Sequence, residues 1–206
     1  MQEAITVGMV VFPEFELLDV FGPLEFLGNY PADFQLIILG ESTGAVPSIQ
    51  GPSIVAESAL SETPEVGILM VPGGIGSRKF VNNSEALKEI HRLATVARYV
   101  CSICTGAGIL ARAGLLNNKR ATTNKLAYTW ATSQGPSTKW IPHARWVQDG
   151  NTWTSAGVSA GMDMTLALIA EIHGSERAQE AAIYAEYTWN NDPNMDPFAG
   201  PAGLLD

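Results

Sequence analysis

Cys104 stands at a junction where the sequence favours a reactive thiol. The apolar run Tyr99–Ile103 predicts a buried strand, and the small residues of Gly106–Ala113 predict a helix behind it. A sharp turn from strand to helix exposes the side chain at its tip and aims it at the N–H groups that open the helix. Because these donors and the helix dipole favour thiolate over thiol, we expect Cys104 to be a nucleophile.

Two other interpretations of this stretch meet difficulties in the sequence. The segment Gly106–Ala111 matches a dinucleotide-binding pattern, but that pattern requires an acidic residue about 20 positions later, and Leu115–Gln148 contains none. Cys101 and Cys104 have the spacing of a redox pair, yet Cys101 falls inside the predicted strand, so we assign it to the core. A zinc site would need further Cys or His residues nearby in sequence. We therefore predict neither a metal nor a cofactor.

Asp19 is the carboxylate best suited to exchange protons with such a thiol. It lies in the segment Pro13–Pro23, where its immediate neighbours are apolar. Burial raises the pKa of a carboxyl group, which then can give and take protons near neutrality. The alternative interpretation is that Asp19 caps a turn before Gly22-Pro23.

A glycine-rich segment, Val71–Ser77, follows another predicted strand and contains Gly73 and Gly74. One interpretation is a flexible turn. The other is an anion-binding nest, in which a backbone N–H near Gly74 faces the reaction partner of the sulfur.

Predicted strands alternate with helices along the chain. The strands are Ile5–Phe12, Phe34–Leu39, Gly67–Val71, Tyr99–Ile103, Ala144–Gln148 and Thr152–Ser155, and the helices are Ser84–Ala97, Gly106–Ala113, Asn124–Gln134, Ala160–His173 and Glu176–Glu186. This alternation predicts an α/β fold with a parallel sheet covered on both faces, in one domain over residues 1–206. Ligands bind beyond the carboxyl ends of such strands, where we expect Pro13–Pro23, Pro72–Arg78 and the segment from Cys104 to meet.

Composition and charge narrow the classes of partner. The chain has 206 residues, of which 46% are hydrophobic and 16% charged, and its net charge is −9. Nucleic acids and anionic membranes would repel such a protein, so we expect a small-molecule substrate instead. No apolar run approaches the roughly 20 residues that span a bilayer, and the N-terminal stretch lacks the basic start of a signal peptide. We expect a cytoplasmic protein.

Six segments, in this order, resemble motifs of the ThiJ/PfpI superfamily. They are FPEFELLDVFGP, VPGGIG, YVCSICTGAGILARAGLL, KRATTN, DGNTWTSAGVSAGMD and AEY. Within that superfamily the chain is most similar to the isocyanide hydratase (isonitrile hydratase) branch. The resemblance implies a flavodoxin-like three-layer sandwich with a mostly parallel central sheet and a nucleophile elbow, in a single domain of the class I glutamine amidotransferase-like type.

The same resemblance assigns roles to individual residues. It implies that Cys104 is the elbow nucleophile and that Asp19 is the acid facing it. Thr105 follows the nucleophile, as in the hydratases. Backbone N–H groups at Gly74, beside Gly73, and at Thr105 would supply the anion site. A homodimer with the site near its interface is also implied.

For activity, the resemblance implies hydration of an organic isocyanide to an N-substituted formamide through a cysteine thioimidate, without a cofactor. A glyoxalase or deglycase acting on methylglyoxal-type carbonyls is the alternative enzyme, although relatives with that activity usually have Glu or His beside the cysteine. A third reading is a redox sensor in which Cys104 is oxidised to sulfinic acid without turnover. The chain departs from the hydratase pattern at Asn124, where those enzymes usually have a histidine.

Overall fold

The computed structural model describes residues 3–205 and confirms the predicted α/β architecture. The strands are β1 (Ile5–Val10), β2 (Phe34–Gly40), β3 (Gly44–Pro47), β4 (Ser53–Ala56), β5 (Ser58–Ala59), β6 (Ile68–Val71), β7 (Tyr99–Ser102), β8 (Arg120–Ala121), β9 (Lys139–Trp140), β10 (Trp146–Asp149) and β11 (Thr152–Ser155). The helices are α1 (Leu17–Gly28), α2 (Ser77–Phe80), α3 (Ser84–Val96), α4 (Gly106–Arg112), α5 (Tyr128–Ser133), α6 (Ala160–His173) and α7 (Ser175–Tyr184).

Seven strands form the central sheet in the order β10-β11-β7-β6-β1-β2-β5. All neighbouring pairs are parallel except β10 with β11. The strands β6 and β7 are buried along their whole length, as a sheet covered on both faces requires. The helices α1, α6 and α7 pack together as one group, and α2, α3 and α5 pack around or beside α4 as another. This topology brings the carboxyl ends of β1, β6 and β7 side by side.

The segment after β1 differs from the expectation of a loop. Leu17–Gly28 is helical, with Pro23 inside it and Asp19 in its first turn, so Asp19 is not the cap of a turn before Gly22-Pro23. Proline removes one helical hydrogen bond and is normally unfavourable there. The buried face that includes Val20 and Phe26, together with the contact between α1 and α6, outweighs that local cost.

The predicted helix Asn124–Gln134 begins four residues later than expected. The chain before it is held in extended form, since the N–H of Thr122 donates to Thr154 Oγ1 at 2.9 Å. Asn124 Oδ1 then accepts the N–H of Ala127 at 2.9 Å. The small pairs β3–β4 and β8–β9, outside the central sheet, were also not expected from the sequence.

Candidate active site

Cys104 occupies a strained turn between β7 and α4. Its φ of 56° lies in the left-handed region, which non-glycine residues adopt at a cost of about 1–3 kcal/mol. The turn is held by hydrogen bonds from Cys104 N to Ala156 O at 3.3 Å and from Gly106 N to Ile103 O at 2.9 Å. A Cβ atom at Gly106 would collide with the carbonyl oxygen of Val71, so the close approach of helix and sheet requires glycine here. The predicted elbow is present.

Asp19 lies beside this thiol and is fully buried. Its Oδ2 accepts a hydrogen bond from the Gly73 N–H at 2.9 Å, whereas Oδ1 has no N–H or O–H partner among residues 3–205. The carboxyl group and the thiol of Cys104 are close enough for each to affect the pKa of the other. Burial raises the pKa of Asp19 to about 8, which exceeds the opposing effect of the Gly73 N–H. Asp19 is therefore an acid that still holds its proton at neutral pH.

Thr105 connects the elbow to the glycine-rich segment. Its Oγ1 accepts the N–H of Gly74 at 3.1 Å and lies 3.1 Å from Ser77 Oγ, which donates to it. The N–H of Gly73 is already bound to Asp19. The three predicted segments therefore meet, but the two glycine N–H groups hold the acid and the threonine instead of forming an open nest. A role for Gly73, Gly74 or Thr105 in binding a substrate anion stays a prediction.

The thiol itself differs from the expected resting thiolate. Burial, followed by the charge of Asp19, raises the pKa of Cys104 well above its ordinary value, against the N–H of Thr105 and the side chains of Asn124 and Thr105. Burial and the charge of Asp19 therefore oppose the peptide dipoles that were expected to keep this sulfur ionised. At neutral pH both groups of the pair are protonated.

Asn124 is the residue beside the sulfur to which sequence reasoning gave no role. Its Oδ1 is occupied by the N–H of Ala127, so its amide N–H₂ group is the part that faces Cys104. A Cβ atom added at Gly157 would lie 2.8 Å from Cys104 Sγ and would also collide with the Asn124 amide. The substitution of the usual histidine was the only signal of this position. An amide donor, unlike imidazole, keeps the same charge at every physiological pH.

Asn124 and Gly157 also form part of the lining of a cavity of about 350 Å³. The apolar residues that line it are Leu18, Leu126, Val158, Phe198 and Pro201. Cys104, which is only 5% exposed, lies behind Asn124 and Gly157. The sequence offered no signal for this lining, because its members come from four segments that lie far apart along the chain.

The remaining expectations about the site concern cysteine and metals. Cys101 is fully buried and unpaired, and burial raises the pKa of its thiol, which confirms its assignment to the core. Within residues 3–205, no three His, Cys, Asp or Glu side chains are placed to hold a metal ion together. In the same range, every helix is too short or too polar to cross a bilayer.

Comparison with known proteins supports the resemblance on which the site was first assigned. The profile of the DJ-1/PfpI family matches residues 5–171. An isonitrile hydratase of Pseudomonas putida is 35% identical, over 98% of this chain and 88% of that protein. A ThiJ/PfpI family protein from Pseudomonas syringae superposes with a TM-score of 0.82 at 27% identity, covering 98% of this chain and 85% of that one. A DJ-1 superfamily protein from Salmonella typhimurium superposes with a TM-score of 0.77 at 26% identity, covering 90% and 100% of the two chains. The fold, the elbow cysteine and these matches together establish that the chain belongs to the DJ-1/PfpI family.

Proposed function

We propose that the protein hydrates organic isocyanides to N-substituted formamides. The observation that carries the proposal is the pair formed by Asp19 and Cys104, a buried acid with a pKa of about 8 next to a buried thiol at the strand-to-helix turn. Similarity to the isonitrile hydratase over 98% of the chain supports it, as does the apolar cavity next to the sulfur.

In the first step the thiol adds to the terminal carbon of the isocyanide R–N≡C. That carbon accepts a proton from Asp19 while Cys104 Sγ forms a bond to it, and the thiol proton passes to the Asp19 carboxylate. The product is the thioimidate R–N=CH–S–Cys104, with Asp19 protonated again. Coupling the two proton transfers avoids a separated pair of charges in a buried site, where such charges are costly.

In the second step water adds to the thioimidate carbon. Asp19 gives its proton to the nitrogen and takes one from the water, which yields R–NH–CH(OH)–S–Cys104. The C–S bond then breaks, the hydroxyl proton passes to the sulfur, and R–NH–CHO leaves. The sum is addition of one water to R–N≡C, with no change of oxidation state. The Thr105 N–H and the Asn124 amide stabilise the sulfur whenever it carries negative charge.

The test compares two substrates on the wild-type protein and on Cys104→Ala. We expect formation of the formamide from p-nitrophenyl isocyanide by the wild type, and loss of that activity to background in Cys104→Ala. Full activity of the variant would refute the proposal. Faster turnover of methylglyoxal than of the isocyanide by the wild type would instead favour the glyoxalase or deglycase alternative.

A further inference from the structure

The C-terminal segment, residues 192–205, is fixed to the chain that leads into β10. The Arg145 N–H donates to Pro193 O at 2.8 Å, and the Asp196 N–H donates to His143 O at 2.8 Å. Asp196 and Ala199 are buried, whereas Met195 and Phe198, which lie next to them, are 59% and 56% exposed. The segment is therefore anchored at defined points while it presents large apolar side chains outward.

The anchor is a cluster of four buried charged residues, Lys125, Arg145, Asp163 and Asp196, called here the anchor cluster. Arg145 Nε donates to Asp163 Oδ2 at 2.7 Å, and its Nη1 lies 3.9 Å from Asp196 Oδ1. Asp196 Oδ1 also accepts the N–H of Phe198 at 2.9 Å. Lys125 Nζ donates to Ala144 O at 2.6 Å and is attracted by the charge of Asp196. Breaking the Arg145–Asp163 pair would leave an uncompensated buried charge, so its geometry is strongly maintained. Asp196 is held by its backbone N–H and by the Phe198 N–H, since Arg145 Nη1 and Asp196 Oδ2 have no hydrogen-bond partner among residues 3–205.

The anchor cluster connects two parts of the cavity lining that lie far apart in sequence. Lys125 directly precedes Leu126, and Asp196 lies two residues before Phe198. Leu126 is 92% exposed although it is a large apolar side chain. Leu126 and Phe198 both line the cavity beside Cys104. Exposed apolar surface of this kind next to a nucleophile is typical of a site that receives an apolar ligand group.

We infer that Phe198, held in place by Asp196, contacts the N-substituent of the substrate together with Leu126 and thereby selects for aryl groups over small ones. The inference rests on the proposed function, since it takes the substrate to be an isocyanide. The occupant follows from the position of the cavity: an isocyanide whose terminal carbon reaches Sγ past Asn124 and Gly157 carries its substituent toward this apolar lining.

The test compares Phe198→Ala with the matched control Met195→Ala, which removes a similarly exposed side chain of the same segment outside the cavity lining. For phenyl isocyanide we expect Phe198→Ala to raise KM about tenfold with kcat within twofold, and for methyl isocyanide to change KM less than twofold. Met195→Ala should leave both substrates unchanged. Asp196→Asn should also lower the preference for phenyl over methyl isocyanide, by about threefold, because Phe198 is then less well positioned. Equal losses on the two substrates in Phe198→Ala would overturn the inference.

A second readout does not depend on hydration. Alkylation of Cys104 by N-phenyliodoacetamide and by iodoacetamide, followed by peptide mass spectrometry, gives a rate ratio that we expect Phe198→Ala to lower about tenfold. If the wild type hydrates neither isocyanide but this ratio falls, the proposed function fails and the assignment of Phe198 stands. An unchanged ratio overturns the assignment. Loss of a dimer in Phe198→Ala, with an equal fall for both reagents, would overturn it too, because a second copy of the chain would then occupy the cavity.

Discussion

Two fully buried aspartates, Asp19 and Asp163, show how the choice of partners divides structural from chemical roles. Asp163 accepts hydrogen bonds from the guanidinium of Arg145, the hydroxyl of Tyr187 at 3.0 Å and the N–H of Asn190 at 2.9 Å. Asp19 accepts one N–H at Oδ2, and its Oδ1 has no hydrogen-bond partner among residues 3–205. A buried carboxylate that is paired with a cation and with several hydrogen-bond donors stabilises the fold. A buried carboxylate with a single donor has a raised pKa and can exchange protons.

The largest effect expected from this comparison concerns activity. Asp19→Asn preserves the shape of the side chain and its acceptor for the Gly73 N–H but removes the exchangeable proton. We expect hydration of p-nitrophenyl isocyanide to fall about 10²- to 10⁴-fold, the range of general acid–base catalysis. Steady-state kinetics with the purified variant measure it, and a loss smaller than threefold would show that the acid is not used.

The matching change at the other aspartate should affect stability. Asp163→Asn removes the hydrogen-bonded countercharge of buried Arg145 and leaves only Asp196 at 3.9 Å, and breaking a buried pair in this way costs about 3–5 kcal/mol. Equilibrium unfolding in urea, followed by tryptophan fluorescence, measures the change in the free energy of unfolding. A decrease in the free energy of unfolding below about 1 kcal/mol would mean that Asp163 does not stabilise the fold.

The same measurement on Asp19→Asn should give the opposite sign. The pKa of Asp19 is about 8 in the folded chain against 3.8 for an ordinary aspartate, so between these values the native state holds a proton that the unfolded state has released. Stability contributed by this group therefore decreases as the pH rises from about 4 to 8 and is constant above that.

We accordingly expect Asp19→Asn to be more stable than the wild type at pH 8 by an amount on the order of a few kcal/mol, and nearly equal to it at pH 4. Urea unfolding at both pH values provides the measurement. A stability difference that does not depend on pH would contradict the raised pKa of Asp19.

The sequence was sufficient for those parts of the fold and site that depend on local patterns. The apolar run of β7 and the small residues of α4 define the elbow without reference to the rest of the chain. The helix that carries Asp19 was not predictable in this way, because Pro23 argues against a helix and only the packing of α1 on α6 overrides it.

Two properties of the site depend on distances that a sequence does not contain. Dipoles near Cys104 can be inferred locally, but the burial and the charge of Asp19 that oppose them involve residues such as Asp19 and Gly157, which lie 138 positions apart. Phe198 lines the cavity from the C-terminal segment, where its N–H donates to Asp196 and the Asp196 N–H donates to His143 O. Neither Phe198 nor Asp196 stands in a sequence pattern that is typical of a binding site.

The smallest expected effect concerns the site of Asp19 and Cys104, and it tests which groups stabilise the sulfur. Asn124→Leu keeps the number and branching of the side-chain heavy atoms but removes the amide donor, and loss of one hydrogen bond to a charged group should slow alkylation of Cys104 by iodoacetamide about tenfold. Asn124→His should restore the rate only at low pH, since imidazole gains its positive charge below a pKa of about 6.5. Asn117→Leu, an exposed position beyond the far end of α4, is the control and should be unchanged. If Asn124→Leu reacts as fast as the wild type from pH 6 to 9, the Thr105 N–H alone supports the thiolate as it forms, and the amide only fills space beside Gly157.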